Sequence, residues 1–222
     1  MPGLKTSRPN AAVMKAFVRY IVPGLFGFGA CYSAAHAEQV LLMATDAAGQ
    51  PVRDAVVYAE AAMKAAPSRA GAPAATVEQR ARKFIPLVTV VQTGTPVSFP
   101  NNDKVRHQVY SFSPAKTFEL KLYSGVPAEP VVIDKAGTVA IGCNIHDKMV
   151  TYVHVVNTPH FSKTDAKGKA VLDGLPPGDY VVKTSHYAAL ANASVVEQPL
   201  RLAALPATVN IKLDIDANAV IN

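Results

Sequence analysis

The chain has 222 residues, half of them hydrophobic and 17% charged, which excludes a disordered protein and leaves room for one or two domains with real cores. Its formal charge of +6 comes mostly from the N-terminus: residues 1–37 carry Lys5, Arg8, Lys15 and Arg19 and no acid, and without them 18 basic residues face 16 acidic ones. That balance lacks the basic footprint of a nucleic-acid-binding protein, and no nucleic-acid partner is expected.

Residues 1–37 read as a secretory signal peptide: a basic start, an apolar stretch from Phe17 to Ala30, and Ala35-His36-Ala37 as an A-x-A cleavage site. The mature chain then starts at Glu38 in the periplasm. The alternative of an uncleaved anchor suffers from an apolar run that is short for a span and broken by Pro23 and Gly24. No permanent membrane span is expected in the mature chain. A lipoprotein reading would place the lipid on Cys31, although Phe28-Gly29-Ala30 lacks the usual leucine. Of two cysteines, Cys31 leaves with the signal, so Cys143 stands alone in an oxidising compartment and cannot form an internal disulfide. A metal would cap such a thiol.

Val40–Thr45 and Ala55–Ala59 read as strands joined by the turn residues 46–51, and together residues 38–60 are the first strands of a flanking sandwich. Residues 61–76 are rich in Ala and Pro and read as a linker, with a short helix at 61–66 as the competing reading. From Phe84 the strand signals become dense. Pro86–Val91, Val97–Phe99, Gln108–Phe112, Thr117–Tyr123, Val131–Asp134, Thr138–Gly142 and Val150–Val156 give roughly seven strands, the count of a small β-sandwich over 77–156. In residues 157–222, polar turns at 164–169 and 174–179 separate Ala170–Leu172 from Tyr180–Thr184, and Val195-Val196 and Val209–Leu213 supply further strands. No strong amphipathic helix is present, and the fold class is all-β.

One stretch concentrates the chemistry. Cys143-Asn144-Ile145-His146-Asp147-Lys148-Met149 puts a thiol, an imidazole and a thioether in a tight loop between two strands. That donor set suits a soft single-electron metal, above all copper, and a second imidazole would come from His107. Zinc fits poorly, since structural zinc sites favour more cysteines or histidines. Alone, each residue has a plainer reading: a buried thiol, a loop histidine, a core methionine, a turn histidine. His154 reads as a sheet-face residue, and His160 and His186 as parts of the flanking scaffold. Asn192-Ala193-Ser194 matches a glycosylation triplet of the kind that occurs by chance.

Residues 84–156 resemble the cupredoxins. The likeness is carried by Phe84-Ile85-Pro86, by Thr93-Gly94-Thr95-Pro96-Val97-Ser98-Phe99, by Asn101 and His107, and by Cys143-x₂-His146-x₂-Met149, whose short spacing is similar to the amicyanin ligand loop. Gly142–Asp147 together with Val109–Ser113 is similar to bacterial proteins of the "methylamine utilization" type. Lys148 stands where that subgroup is expected to carry a bulky aromatic. The flanks, with Asp46–Val52 and Ala55–Val57 on one side and Thr164–Gly168 and Leu175–Tyr180 on the other, resemble carboxypeptidase-regulatory or transthyretin-like sandwiches. Together these resemblances imply a Greek-key cupredoxin sandwich inserted in, or packed on, a second sandwich. They imply one copper ion per chain (Cu+/Cu2+), with Cys143, His107 and His146 in the ligand plane, Met149 as a weak axial donor, and Asn101 and Asn144 in support. The expected role is a periplasmic single-electron carrier with a redox partner protein, not an enzyme. The alternative is a copper storage, delivery or partner-docking module.

Overall fold

The computed structural model describes residues 38–62, 74–127, 129–192, 195–203 and 207–217. The segment read as a signal peptide, most of the Ala/Pro-rich stretch with the competing helix reading, and the last two residues of the glycosylation triplet lie outside them.

The described residues form strands almost throughout. The chain opens with β1 (Glu38–Thr45), β2 (Val56–Ala61), β3 (Ala75–Thr76), β4 (Glu78–Arg80), β5 (Lys83–Ile85) and β6 (Val88–Gln92). It continues through β7 (Pro96–Ser98), β8 (His107–Ser113), β9 (Lys116–Tyr123), β10 (Val131–Val132), β11 (Gly137–Gly142) and β12 (Val150–Val156). It ends with β13 (Phe161–Lys163), β14 (Lys169–Leu175), β15 (Gly178–Ser185), a 3-10 turn at Tyr187–Asn192, β16 (Val195–Leu202) and β17 (Ala207–Lys212).

Two sandwiches result, so the fold is all-β. In the first, sheets ordered β14-β1-β17 and β13-β2-β15-β16 enclose a core of Val40, Leu42, Val57, Leu172, Tyr180 and Ile211, among others. In the second, the sheet β6-β12-β11-β8-β9 faces β10-β7-β3 across Val97, Phe99, Val109, Ile141, Val153 and their neighbours. Each sheet face follows from side-chain alternation. β9 alternates half-buried and exposed residues, as a strand at the end of its sheet should. β12 is different: from Thr151 to Val156 every residue is buried. A strand with no exposed face is covered on both sides, and β12 has the second core on one side and the first sandwich on the other.

That junction is built from Val56, Val88, Tyr152 and Tyr187, with the two tyrosine rings stacked 4.9 Å apart. Polar pins fix it. The Lys163 ammonium donates to the Val88 carbonyl and to Asp54, both at 2.9 Å. His154 of β12 meets Thr138 Oγ1 at 2.6 Å through Nδ1 and Ser185 Oγ of the first sandwich at 3.2 Å through Nε2. The segment entering and the segment leaving the second sandwich are tied at one point, where Thr158 donates to the Ala59 carbonyl at 2.7 Å and Ala59 donates to that of His160 at 2.9 Å.

The sequence pattern missed the shortest pieces. Ala75–Thr76 falls in the stretch read as linker, yet it pairs in parallel with β7. β13 and the two-stranded β4–β5 ladder also went unread. Two or three residues cannot display a period of two.

Burial pushes the His154 imidazole down to about 4 from its ordinary 6.5. Between those values the unfolded chain takes up a proton that the folded chain refuses. Stability should therefore fall as pH drops from about 6.5 to about 4, by roughly 3 kcal/mol from this group, and the slope from it should vanish above and below that window. His154→Gln, which can still bond both hydroxyls, should flatten this window in thermal melts. Wild type and variant losing stability in parallel would show that His154 is not the cause.

Candidate metal centre

The loop between β11 and β12 is two tight turns in succession. His146 N–H donates to the Cys143 carbonyl at 3.4 Å and Met149 N–H to that of His146 at 2.9 Å, while Cys143 N–H reaches the Met149 carbonyl at 3.2 Å and closes the loop. Successive bonds across three residues bring side chains three apart onto one side of the chain. The positions 143, 146 and 149 thus mark the ends and the middle of the two turns. Cys143 and Met149 are both buried in the second core and border one cavity at the outer side of the sheet, while His146 is partly exposed.

His107 arrives from a separate segment, as the first residue of β8, and is completely buried. Its Nδ1 lies 3.6 Å from the Cys143 sulfur, and the His146 Nδ1 lies 4.0 Å from the same atom. One ligand atom from each of the three residues fits within 4.8 Å of the others. A thiol carries one proton and can satisfy only one of the two ring nitrogens, whereas a cation serves all three donors. The spacing suits one: metal bonds of roughly 2.3 Å to sulfur and 2.0 Å to nitrogen, about 120° apart, hold their ends about 3.7 Å apart. Tyr123 pairs opposite His107 in the β8–β9 ladder. Burial, partly offset by a bond from Gln79 and reinforced by Cys143, pushes its hydroxyl up to about 12, so it stays protonated and donates to the Phe99 carbonyl.

The outer nitrogen of His107 is taken by Asp103, Oδ2 to Nε2 at 2.9 Å. Burial opposes ionisation of Asp103. The Arg82 amide, the His107 ring and the Ala81 amide outweigh it, and the carboxyl sits below its usual range. As a carboxylate it can only accept, so His107 carries its proton on Nε2 and turns the Nδ1 lone pair toward the sulfur. The two amides that hold Asp103, at 2.6 and 2.9 Å, belong to residues with φ of 53° and 57°. Left-handed backbone at Ala and Arg is costly and persists only where the surroundings demand it.

Asn101 is buried and works at one remove. Its amide donates to the Val105 carbonyl at 3.0 Å and the Tyr123 carbonyl at 2.8 Å, and its oxygen accepts Asp103 N–H at 3.0 Å. It shapes the loop that presents Asp103 and His107 and spends its amide there. Asn144 is exposed. Sequence reasoning passed over Asp103, which stands in the run Asn101-Asn102-Asp103 between two strands. Its spacing four residues before His107 was the available signal.

No protein-family model matches the chain, and no characterised protein matches it in sequence. Solved structures with partial likeness include a purple cupredoxin from Nitrosopumilus maritimus, 22% identical over 37% of this chain and 99% of that one, with a TM-score of 0.33. A reduced amicyanin variant is 21% identical over 45% of this chain and 99% of its own, with a TM-score of 0.34. A copper-containing nitrite reductase from Thermus scotoductus is 20% identical over 52% of this chain and 28% of its own, with a TM-score of 0.36.

Replacing Asp103 tests the geometry directly. Asp103→Ala should weaken Co(II) or Cu(II) binding about 10- to 100-fold, because an imidazole without its outer acceptor is free to turn and to change tautomer. Asp103→Asn, which keeps an acceptor but loses the charge, should fall between. Titration calorimetry with equal affinities for all three proteins would remove Asp103 from the site.

Proposed function

We propose that the mature protein holds one copper ion per chain between His107, Cys143 and His146, with Met149 as axial donor, and serves as a periplasmic single-electron carrier. The observation that carries this reading is the convergence of two imidazole nitrogens and one thiol sulfur within 4.8 Å, from two separate stretches of chain. Thiolate with imidazole is a soft, mixed donor set that suits copper better than hard oxygen-seeking ions. Copper held there would supply a single electron by cycling between Cu(I) and Cu(II).

The protein's own residues account for the rest. His107, Cys143 and Met149 are buried and exclude water, and the sandwich fixes them, so little has to rearrange with the charge of the site. Asp103 holds the His107 tautomer. His146 is partly exposed beside Ile145, which is 47% exposed, so the centre has one apolar edge on the surface where a redox partner protein could approach. We assign the chain no catalytic turnover. Delivery of copper to another protein is the poorer reading, because a buried, closed donor set releases its ion slowly. Export follows from the N-terminal sequence, and Edman or mass-spectrometric sequencing of periplasmic protein should find Glu38 first; lipid-bearing Cys31 at the start would replace that assignment.

The copper-loaded protein should show an intense thiolate-to-copper band in the visible. Cys143→Ala should abolish it, since no other thiol follows Glu38. His107→Ala should lose the band as well. Met149→Leu should keep the colour and raise the reduction potential, because the donor that favours Cu(II) is gone. A Cys143→Ala protein with unchanged copper affinity and spectrum would leave a structural sandwich as the better account.

A further inference from the structure

We propose that the hollow between the two sandwiches binds a small organic anion, an apolar body carrying one carboxylate or sulfonate. The cavity measures about 660 Å³ and lies where the outer face of β11 and β12 meets the first sandwich. Ligand sites favour such boundaries between packed units and typically span roughly 300–1,000 Å³.

Its lining has the composition of a ligand site. The walls are apolar, from Pro114, Val156, Ala189, Leu190 and Val195. Leu190 and Val195 remain 37% and 42% exposed although they stand beside the hollow, so the protein alone leaves apolar surface there uncovered. A few polar groups stand among these walls. The His154 ring, with both nitrogens bonded, lies 6.0 Å from the Tyr58 ring, and both residues border the cavity with Ser185 and Thr138.

Charge selects the class. Two residues of the lining carry full charges, Glu60 and Lys135. Glu60 is held by Lys183 at 3.1 Å, a lysine shared with Glu197 at 3.2 Å. Asp134, next to Lys135 in sequence, pairs with Lys116 at 3.6 Å. Among the described residues Lys135 makes no ion pair, so the rim offers one uncommitted cation above an apolar chamber. A hydrophobic anion answers both features. This inference does not depend on copper.

Anilinonaphthalene sulfonate is the probe, at a pH where the protein is fully folded. Wild type should bind one molecule per chain, saturably, with a dissociation constant on the order of 10 µM, the range for a ligand of about 20 heavy atoms. Ala140→Phe, an exposed strand position bordering the cavity, should fill its mouth and abolish binding. Lys135→Glu should weaken the anion about tenfold and leave the neutral N-phenylnaphthylamine unchanged. Cys143→Ala should bind both probes like wild type, which separates this site from the metal loop. Binding that does not saturate, or that ignores Ala140→Phe, overturns the site. If Ala140→Phe blocks both probes and Lys135→Glu weakens neither, the anionic class is overturned and a neutral ligand takes its place.

Discussion

A fully buried imidazole cannot leave either ring nitrogen unpartnered, because an unsatisfied polar atom in a core costs on the order of 1–3 kcal/mol. His107 is such an imidazole, and much of the second sandwich is arranged around its two demands. On one side Asp103 supplies the acceptor, and two amides in left-handed backbone and the Asn101 side chain keep Asp103 in place. On the other side Nδ1 faces the Cys143 sulfur at 3.6 Å. The site is thus built inward from Asp103. Removing the carboxylate frees the ring, and only then does the donor on the far side lose its aim.

The first sandwich stabilises this arrangement from behind. Its contact with β12 is apolar at the centre and pinned by Lys163 and by the Thr138–His154–Ser185 chain. A strand covered on both faces is among the last to open. The loop that carries Cys143 and His146 hangs from that strand and from β11, so its turns are held at both ends. Loops carry functional side chains well when the frame beneath them is stiff.

Much of this was legible in the sequence. Alternation marked the long strands, and Cys143 and His146, singled out by their spacing, do lie near His107. What could not be read was nearly all relational. The pairing of Ala75–Thr76 is too short to leave a pattern. Asp103 carries no sign of its partner beyond its distance from His107. The amide of Asn101 bonds the carbonyls of Val105 in its own loop and of Tyr123 in β9 rather than the sulfur. The hollow beside His154 exists only because two sandwiches, far apart in sequence, meet there, and Leu190 and Lys135 become neighbours of one space through topology alone.

One register ties the two halves of the molecule together. β11 and β12 pair residue for residue from Gly137 with Val155 to Gly142 with Val150. The loop of two turns fixes that register. A slip by one residue would turn Val139 and Ile141 out of the core, since side chains alternate faces. The same slip would carry Cys143 away from His107 and Thr138 away from His154. The approach of Cys143 to His107 and the polar pin at the junction are therefore set by a single choice of pairing, and the buried valines and isoleucine that make any other pairing costly also protect the arrangement at its end. Gly142, the last paired residue, shows how tightly this is drawn: a Cβ there would meet the Tyr110 hydroxyl at 3.1 Å and its ring at 3.2 Å. The position of Tyr110, which borders the same cavity as Cys143, thus relies on the absence of a side chain at Gly142.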